Sequence, residues 1–188
     1  MADGQRHDEQ WFDEAYREFY PSLVRYGYRR LADVDAAKEL AQEAFVVAWR
    51  RRDEVPAHPL PWLYGVARKL LANEWRARRR RPEPIGFAEL ADHALPDSLE
   101  ESAAIVVDLR RALSTLSEDD QEILRLVGWE RLKIAEVAAA VGCSRLAASA
   151  RLMRARRRLL AALKERRDNH AEQEPVRRTT VRKVASGA

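Results

Sequence analysis

Arginine carries most of the chemical potential of this chain, and its placement says what that chemistry is. It collects in two blocks, Arg76 with Arg78 to Arg81, and Arg151 with Arg154 and Arg156 to Arg158. Guanidinium groups at that density exceed what solubility needs and suit phosphate contacts, which supply affinity but little sequence information. Ahead of the first block, Lys69, Asn73, Arg76 and Arg80 recur at helical spacing, with Trp62, Tyr64 and Trp75 close by. Cations that hold phosphates beside rings that stack on bases suit a nucleic-acid strand. Taken singly, Trp62 and Trp75 are ordinary core residues, and the combination is more specific than any member. Other chemistries are poorly served. His7, His58, His93 and His170 are scattered, with no spacing that puts two metal ligands on one helix face. No Gly-rich phosphate cradle or nucleophile elbow is present, so neither catalysis nor a metal or cofactor is expected.

The elements that must position these residues are helices. The 188 residues are rich in Ala, Leu, Arg and Glu, contain only 7 glycines, and lack the alternating runs of strands. The net charge of +4 is modest, but basic blocks flank an acidic stretch, an asymmetry that points to nucleic acid. Pro56, Pro59 and Pro61 interrupt a first helical block, and the segment PEPIGFAELADHALPDSLEES separates it from a second. The expected fold is all-α: two small helical domains, residues 11–81 and 103–164, joined by a flexible acidic linker at 82–102. Residues 1–10 and the basic tail 165–188 are expected to be disordered. The lone Cys143 excludes an internal disulfide and reads as a small buried thiol in a reducing compartment. No apolar run approaches the roughly 20 residues of a membrane span, and the first residues lack the apolar centre of a signal peptide. A cytoplasmic protein without membrane insertion is expected.

The second block carries a helix-turn-helix pattern. Ser117 caps a helix opened by acids, and Ile134, Val137, Ala138 and Val141 make a short amphipathic helix. Gly142 suits the left-handed residue that ends it, and Ser144 caps a longer basic helix, the one that lies in the major groove in this geometry. On that helix Ala148, Leu152, Ala155 and Leu159 fall on one stripe. The opposite side holds Leu146, Ala150, Met153 and Arg157, flanked by Arg145, Ser149 and Arg154. Arg145 and Ser149 are the hydrogen-bonding candidates near its start. Leu146, Ala147 and Ala150 fit either thymine methyl groups or a protein surface, and the residues leave both open.

In the first block, Ala37, Leu40, Ala41, Ala44, Val47 and Ala48 form a buried stripe. The opposite face holds Asp35, Glu39, Gln42, Val46 and Trp49, with Glu43 at its edge. Apolar residues among acids suit a protein docking surface, where Trp is a preferred anchor. Trp49 folded back onto its own domain is the alternative.

The pattern D-A-x-x-x-L-x-Q-E-x-F-x-x-A-W from Asp35 to Trp49, followed by W-L-Y-G-V-A-R, resembles region two of the sigma-70 family. The stretch from L-S-T-L-S-E-D-D-Q-E-I-L to M-R-A-R-R-R-L resembles region four, and the compact arrangement resembles the extracytoplasmic-function group. The resemblance implies a transcription-initiation subunit without catalytic activity. Asp35, Glu39, Leu40, Gln42, Glu43, Val46 and Trp49 would dock on the clamp of the largest subunit of core RNA polymerase, and the flap is the other expected contact on core. His58, Trp62, Tyr64, Arg68, Lys69, Asn73, Arg76 and Arg80 would engage the −10 element, single-stranded once a base is flipped from the stack. Ser144, Arg145, Leu146, Ser149, Ala150, Arg151, Met153, Arg154 and Arg157 would meet duplex DNA at the −35 element. The acidic linker would thread toward the catalytic cleft, and an anti-sigma factor would regulate the subunit. The chain also departs from the family. The usual Gly-Thr-Val-Lys-Ser-Arg stands here as Leu146, Ala147, Ala148, Ser149, Ala150 and Arg151; a common Asn is Lys69 and a frequent Asp is Asn73. A stand-alone helix-turn-helix regulator, dimerised through its first block, is the rival reading, and the basic aromatic arm weighs against it.

Overall fold

The computed structural model describes residues 8–80 and 100–173. Seven α-helices and one 3-10 turn make up the regular structure, and the described residues include no strand. Helix α1 (Glu9–Leu31) begins where the Asp8 side chain accepts from the Trp11 amide at 2.9 Å. It ends at Ala32, in the left-handed conformation at φ 50°. Asp33 accepts from the amides of Asp35 and Ala36 to start α2 (Val34–Arg50), supplying partners that the first turn of a helix otherwise lacks. A 3-10 turn (Arg52–Glu54) leads to α3 (Pro59–Arg80).

These three helices share a core of Leu23, Tyr26, Ala41, Ala44, Phe45, Leu63, Ala67 and Leu71. The alanine stripe of α2 lets its neighbours come close, and a run of rings on α1 closes the end. Phe12 meets Phe45 edge-on at 5.9 Å, and Tyr16 stacks on Tyr20 at 4.7 Å.

The second unit comprises α4 (Glu100–Ser114), α5 (Glu118–Gly128), α6 (Ile134–Val141) and α7 (Arg145–Gln173). Ser117 caps α5 by accepting from the Asp120 amide at 3.3 Å. Gly142 sits at φ 71°, where a side chain would be strained, and turns the chain from α6 into α7. Ser144 accepts from the Ala147 amide at 3.1 Å. Ile123, Leu126, Val137, Ala138, Ala148 and Ala155 are buried between α5, α6 and α7. Helix α7 continues nine residues beyond the expected domain end at 164, and α4 starts at Glu100, inside the expected linker. The remainder of the linker, residues 1–7 and the tail beyond 173 lie outside the described residues.

The two units pack on each other through α1 and α3 on one side and α5 and α6 on the other. Helix α3 is therefore enclosed from two directions: Leu63 and Val66 of its expected stripe are buried, Leu70 is half-buried, and Tyr64, Ala67 and Leu71 are buried as well. A Cβ at Gly65 would stand 2.8 Å from the Ala140 carbonyl oxygen, so glycine is what lets α3 and α6 touch.

Beside that contact lies a buried ion cluster. Arg30 of α1 holds the Glu122 carboxylate of α5 with Nε at 3.0 Å and Nη2 at 3.1 Å, and Tyr26 donates to the same carboxylate at 2.9 Å. Arg30 Nη1 reaches Glu130 at 3.2 Å and the Tyr26 carbonyl at 2.9 Å, while Arg29 takes the other Glu130 oxygen at 2.9 Å. Burial alone would lower the Arg30 pKa, but Tyr26, Glu122 and Glu130 reverse that and raise it. Burial also pushes the Tyr26 phenol well above its ordinary range; Arg30 opposes the shift and Glu122 adds to it, so Tyr26 stays a donor.

Removing one member of such a cluster leaves a buried charge short of partners. Glu122→Ala is expected to cost about 3 kcal/mol in urea unfolding, the low end of the range for a broken buried pair because Glu130 remains. Lys38→Ala, which removes the partner of Asp35 in a pair exposed on both sides, should stay within about 1 kcal/mol. Equal effects of the two variants would contradict the structure.

Candidate nucleic-acid and partner interfaces

Helix α7 has one sealed face and one open face. Ala148 and Ala155 are fully buried, with Leu152 and Leu159 half-buried beside them, which fixes the helix phase. The opposite face carries Leu146 at 81% exposure and Met153 at 68%, with Arg145, Ser149, Arg154 and Arg157 exposed around them and Ala150 half-buried, while Arg151 is exposed at the border of the sealed face. Ala147 turns toward the flank and is half-buried, and Ser144 spends its hydroxyl on the helix cap. Cys143 is half-buried in the turn, with Sγ 3.5 Å from the Ser144 carbonyl.

On α3 the structure divides the sequence candidates. Lys69 and Asn73 are exposed one turn apart. Arg76 and Arg80 lie in the last turns of the same helix. Trp62 is half-buried, with the Arg51 guanidinium 6.0 Å from its ring centre. Tyr64 is not available to a base. It is 3% exposed, stacks on Tyr26 at 5.1 Å, and burial pushes its pKa up to about 12. Alternating along a helix with partners on two sides, it faces the core rather than the basic stripe. Arg68 is tied at 3.0 Å to Asp119 of the second unit. His58, in the loop before α3, lines a shallow cleft with Trp11, Glu14 and Glu136.

The α2 face is also divided. Asp35, Glu39, Gln42 and Glu43 are exposed, with Val46 at 47% among them. Leu40 is 5% exposed and belongs to the core, because its position falls on the alanine stripe rather than opposite it. Trp49 is half-buried: its ring meets Phe12 at 5.3 Å and the Arg52 guanidinium lies 4.9 Å from its centre. Of the two readings of Trp49, the structure shows the ring packed on its own domain.

The cluster of Arg30, Tyr26, Glu122 and Glu130 has no signature in the sequence. Arg30 and Glu122 are 92 positions apart, each on an ordinary amphipathic helix. Only the mismatch of an arginine one helical turn after a buried tyrosine hints at it.

Two family descriptions match this chain, sigma-70 region 2 over residues 15–81 and sigma-70 region 4 over residues 107–159. A probable RNA polymerase sigma factor of Xanthomonas campestris, RfaY, is 38% identical over 74% of this chain, which spans 37% of that longer protein. The extracytoplasmic-function sigma factor EcfG of Rhodopseudomonas palustris is 31% identical over 76% of this chain and 80% of its own length. Among solved structures, the sigma factor RpoE of Bartonella quintana, crystallised with the anti-sigma factor NepR, matches 81% of this chain and 96% of its own. It is 25% identical, with a TM-score of 0.59. CnrH, in complex with the cytosolic domain of CnrY, shares the fold at 20% identity and a TM-score of 0.53 over 84% of this chain and 90% of its own. This chain belongs to the sigma-70 family of RNA polymerase sigma factors, in its extracytoplasmic-function group.

Proposed function

We propose that the chain binds core RNA polymerase through the outward face of α2 and directs it to promoters. Helix α3 engages the −10 element and assists melting, and α7 reads the −35 element. The observation that carries this reading is the open face of α7, ringed by arginine and pointing away from a sealed core. On α2, an exposed valine among acids and an amide gives the partner face, with Glu39, Gln42 and Val46 at its centre. On α3, Lys69 and Asn73 continue toward Arg76 and Arg80 as a track for a single strand. The acidic linker and the domain limits read from the sequence fit this division, with α7 extending the second unit. An inhibitory anti-sigma factor is part of the proposal, by analogy with the complex of the Bartonella relative.

The packed arrangement bears on how the chain works. The −10 and −35 elements lie about 25 base pairs apart, roughly 85 Å of duplex at 3.4 Å per step. Helices α3 and α6 touch at Gly65 and Ala140, so the two units must part before both elements are read.

Run-off transcription from a cognate promoter is expected only when the full chain joins core polymerase. A chain that never binds core but binds paired duplex half-sites tightly would instead support the stand-alone regulator. Val46→Lys should weaken core binding about tenfold, or 1.4 kcal/mol, with unchanged circular dichroism. Trp49→Ala should mainly lower thermal stability, because its ring packs on Phe12. Fluorophores on α1 and α7 should separate when core and promoter are added, and in Gly65→Val they should already be apart. An unchanged energy-transfer signal in both cases would refute opening.

A further inference from the structure

The open face of α7 is apolar along its centre and cationic along its sides. At about 100° per residue, Ala150 and Met153 lie within about 40° of Leu146, while Arg154 stands about 80° to one side and Arg156 about 80° to the other. Arg157 returns to the central line one turn beyond Met153. The apolar strip covers the first two turns, Arg157 interrupts it, and Leu160, about 40° from Leu146, is exposed again beyond it at 67%. Leu146 and Met153 are 81% and 68% exposed, and the residues that seal the helix, Ala148 and Ala155, face the other way. Leu146 and Met153 contribute nothing to the core.

Exposed apolar side chains grouped on one face mark an interaction surface. The charge around them says which kind. No acid occurs on α7 from Arg145 to Lys164, while Arg145, Arg154, Arg156 and Arg157 surround the strip. A polyanion fits that surround. A helix lying in the major groove turns its central line to the base edges and its flanks to the two phosphate walls. The apolar feature on the groove floor is the C5-methyl of thymine, whereas guanine presents two acceptors that need a donor. The first two turns offer no donor on the central line.

We propose that Leu146, Ala150 and Met153 are specificity residues that read thymine methyl groups, so that the upstream element of this chain's promoters is defined by thymines at adjacent steps. Guanine is disfavoured there because its acceptors would be desolvated against leucine and methionine without a partner. Ser149 and Arg145 supply the polar contacts at the edge of the strip, and the flanking arginines hold the phosphates. This rests on the reading of α7 as the helix that enters the −35 element, and it names what that helix selects.

The test is a selection by the holoenzyme, full chain with core polymerase, from duplexes randomised over the upstream element. Each selected thymine is then replaced by deoxyuridine, which removes the methyl and nothing else. Binding should fall about fourfold at each methyl read, the worth of one carbon returned to water. Met153→Ala and Leu146→Ala holoenzymes should each lose the thymine-over-uracil preference at one position while retaining the others. Both side chains are exposed, so folding is not at stake. An element selected without thymines, or one indifferent to uracil throughout, overturns the proposal even where Arg154→Ala weakens binding. The strip would then meet a protein. The uracil series on the full chain without core reads the same contacts if no holoenzyme assembles, an outcome that by itself sinks only the functional reading.

Discussion

The contact between Arg30 and Glu122 sets the geometry of everything around it. Arg30 leaves α1 already committed to the Tyr26 carbonyl and ring, with its carbon Cζ 3.4 Å from the ring centre, so its guanidinium has one direction left to point. Glu122 reaches that point from α5 and Glu130 from the turn that follows it, which together fix the helix in position and rotation. With α5 fixed, α6 falls against α3 at Gly65, and α7 is left with its buried stripe inward. A bidentate pair specifies geometry as well as energy, which a purely apolar contact between α1 and α5 would not do.

The same chemistry makes the arrangement one that can part. A buried ion pair gains much of its attraction back against the water it gave up, so the assembled cluster adds little net stability compared with a packed apolar substitute. When the units separate, Arg30 and Glu122 recover hydration. Parting also uncovers apolar surface, because one buried core runs from Tyr64 and Val66 of α3 to Val137 of α6, and a partner must offset that exposure. Losing one partner within the closed form is a different event, because the survivor stays buried and unmatched. An interface of this kind fixes one arrangement firmly and still releases it when another partner offers more.

Much of this was legible in the sequence, for identifiable reasons. Helix caps at Ser117 and Ser144, the glycine turn at Gly142 and the buried stripes of α2 and α7 follow from local chemistry and period, and each stands in the structure. What period alone misjudged was α3. A helix with one partner shows one stripe, but α3 has two, so spacing alone groups Tyr64 with the DNA-facing rings although it is core. Trp49 shows the same limit, since spacing gives a residue's direction but not which neighbour lies there. The Arg30 cluster was out of reach because its members are distant in the chain and each alone resembles a surface residue.

Helix α7 ties these strands together. Its inward face is sealed by Ala148 and Ala155 with Leu152 and Leu159 beside them, and this frees the outward face from any duty to the core. Most surface helices would fill that face with charge, whereas α7 leaves Leu146, Met153 and, beyond Arg157, Leu160 exposed along it. Leucine and methionine at high exposure oppose solubility, and the surrounding arginines offset that by keeping the helix cationic and hydrated. The apolar strip thus exists inside a surface that attracts phosphate before it contacts anything apolar. In the proposed reading, affinity arises from the flanks and discrimination from the centre, so a change at one can leave the other intact.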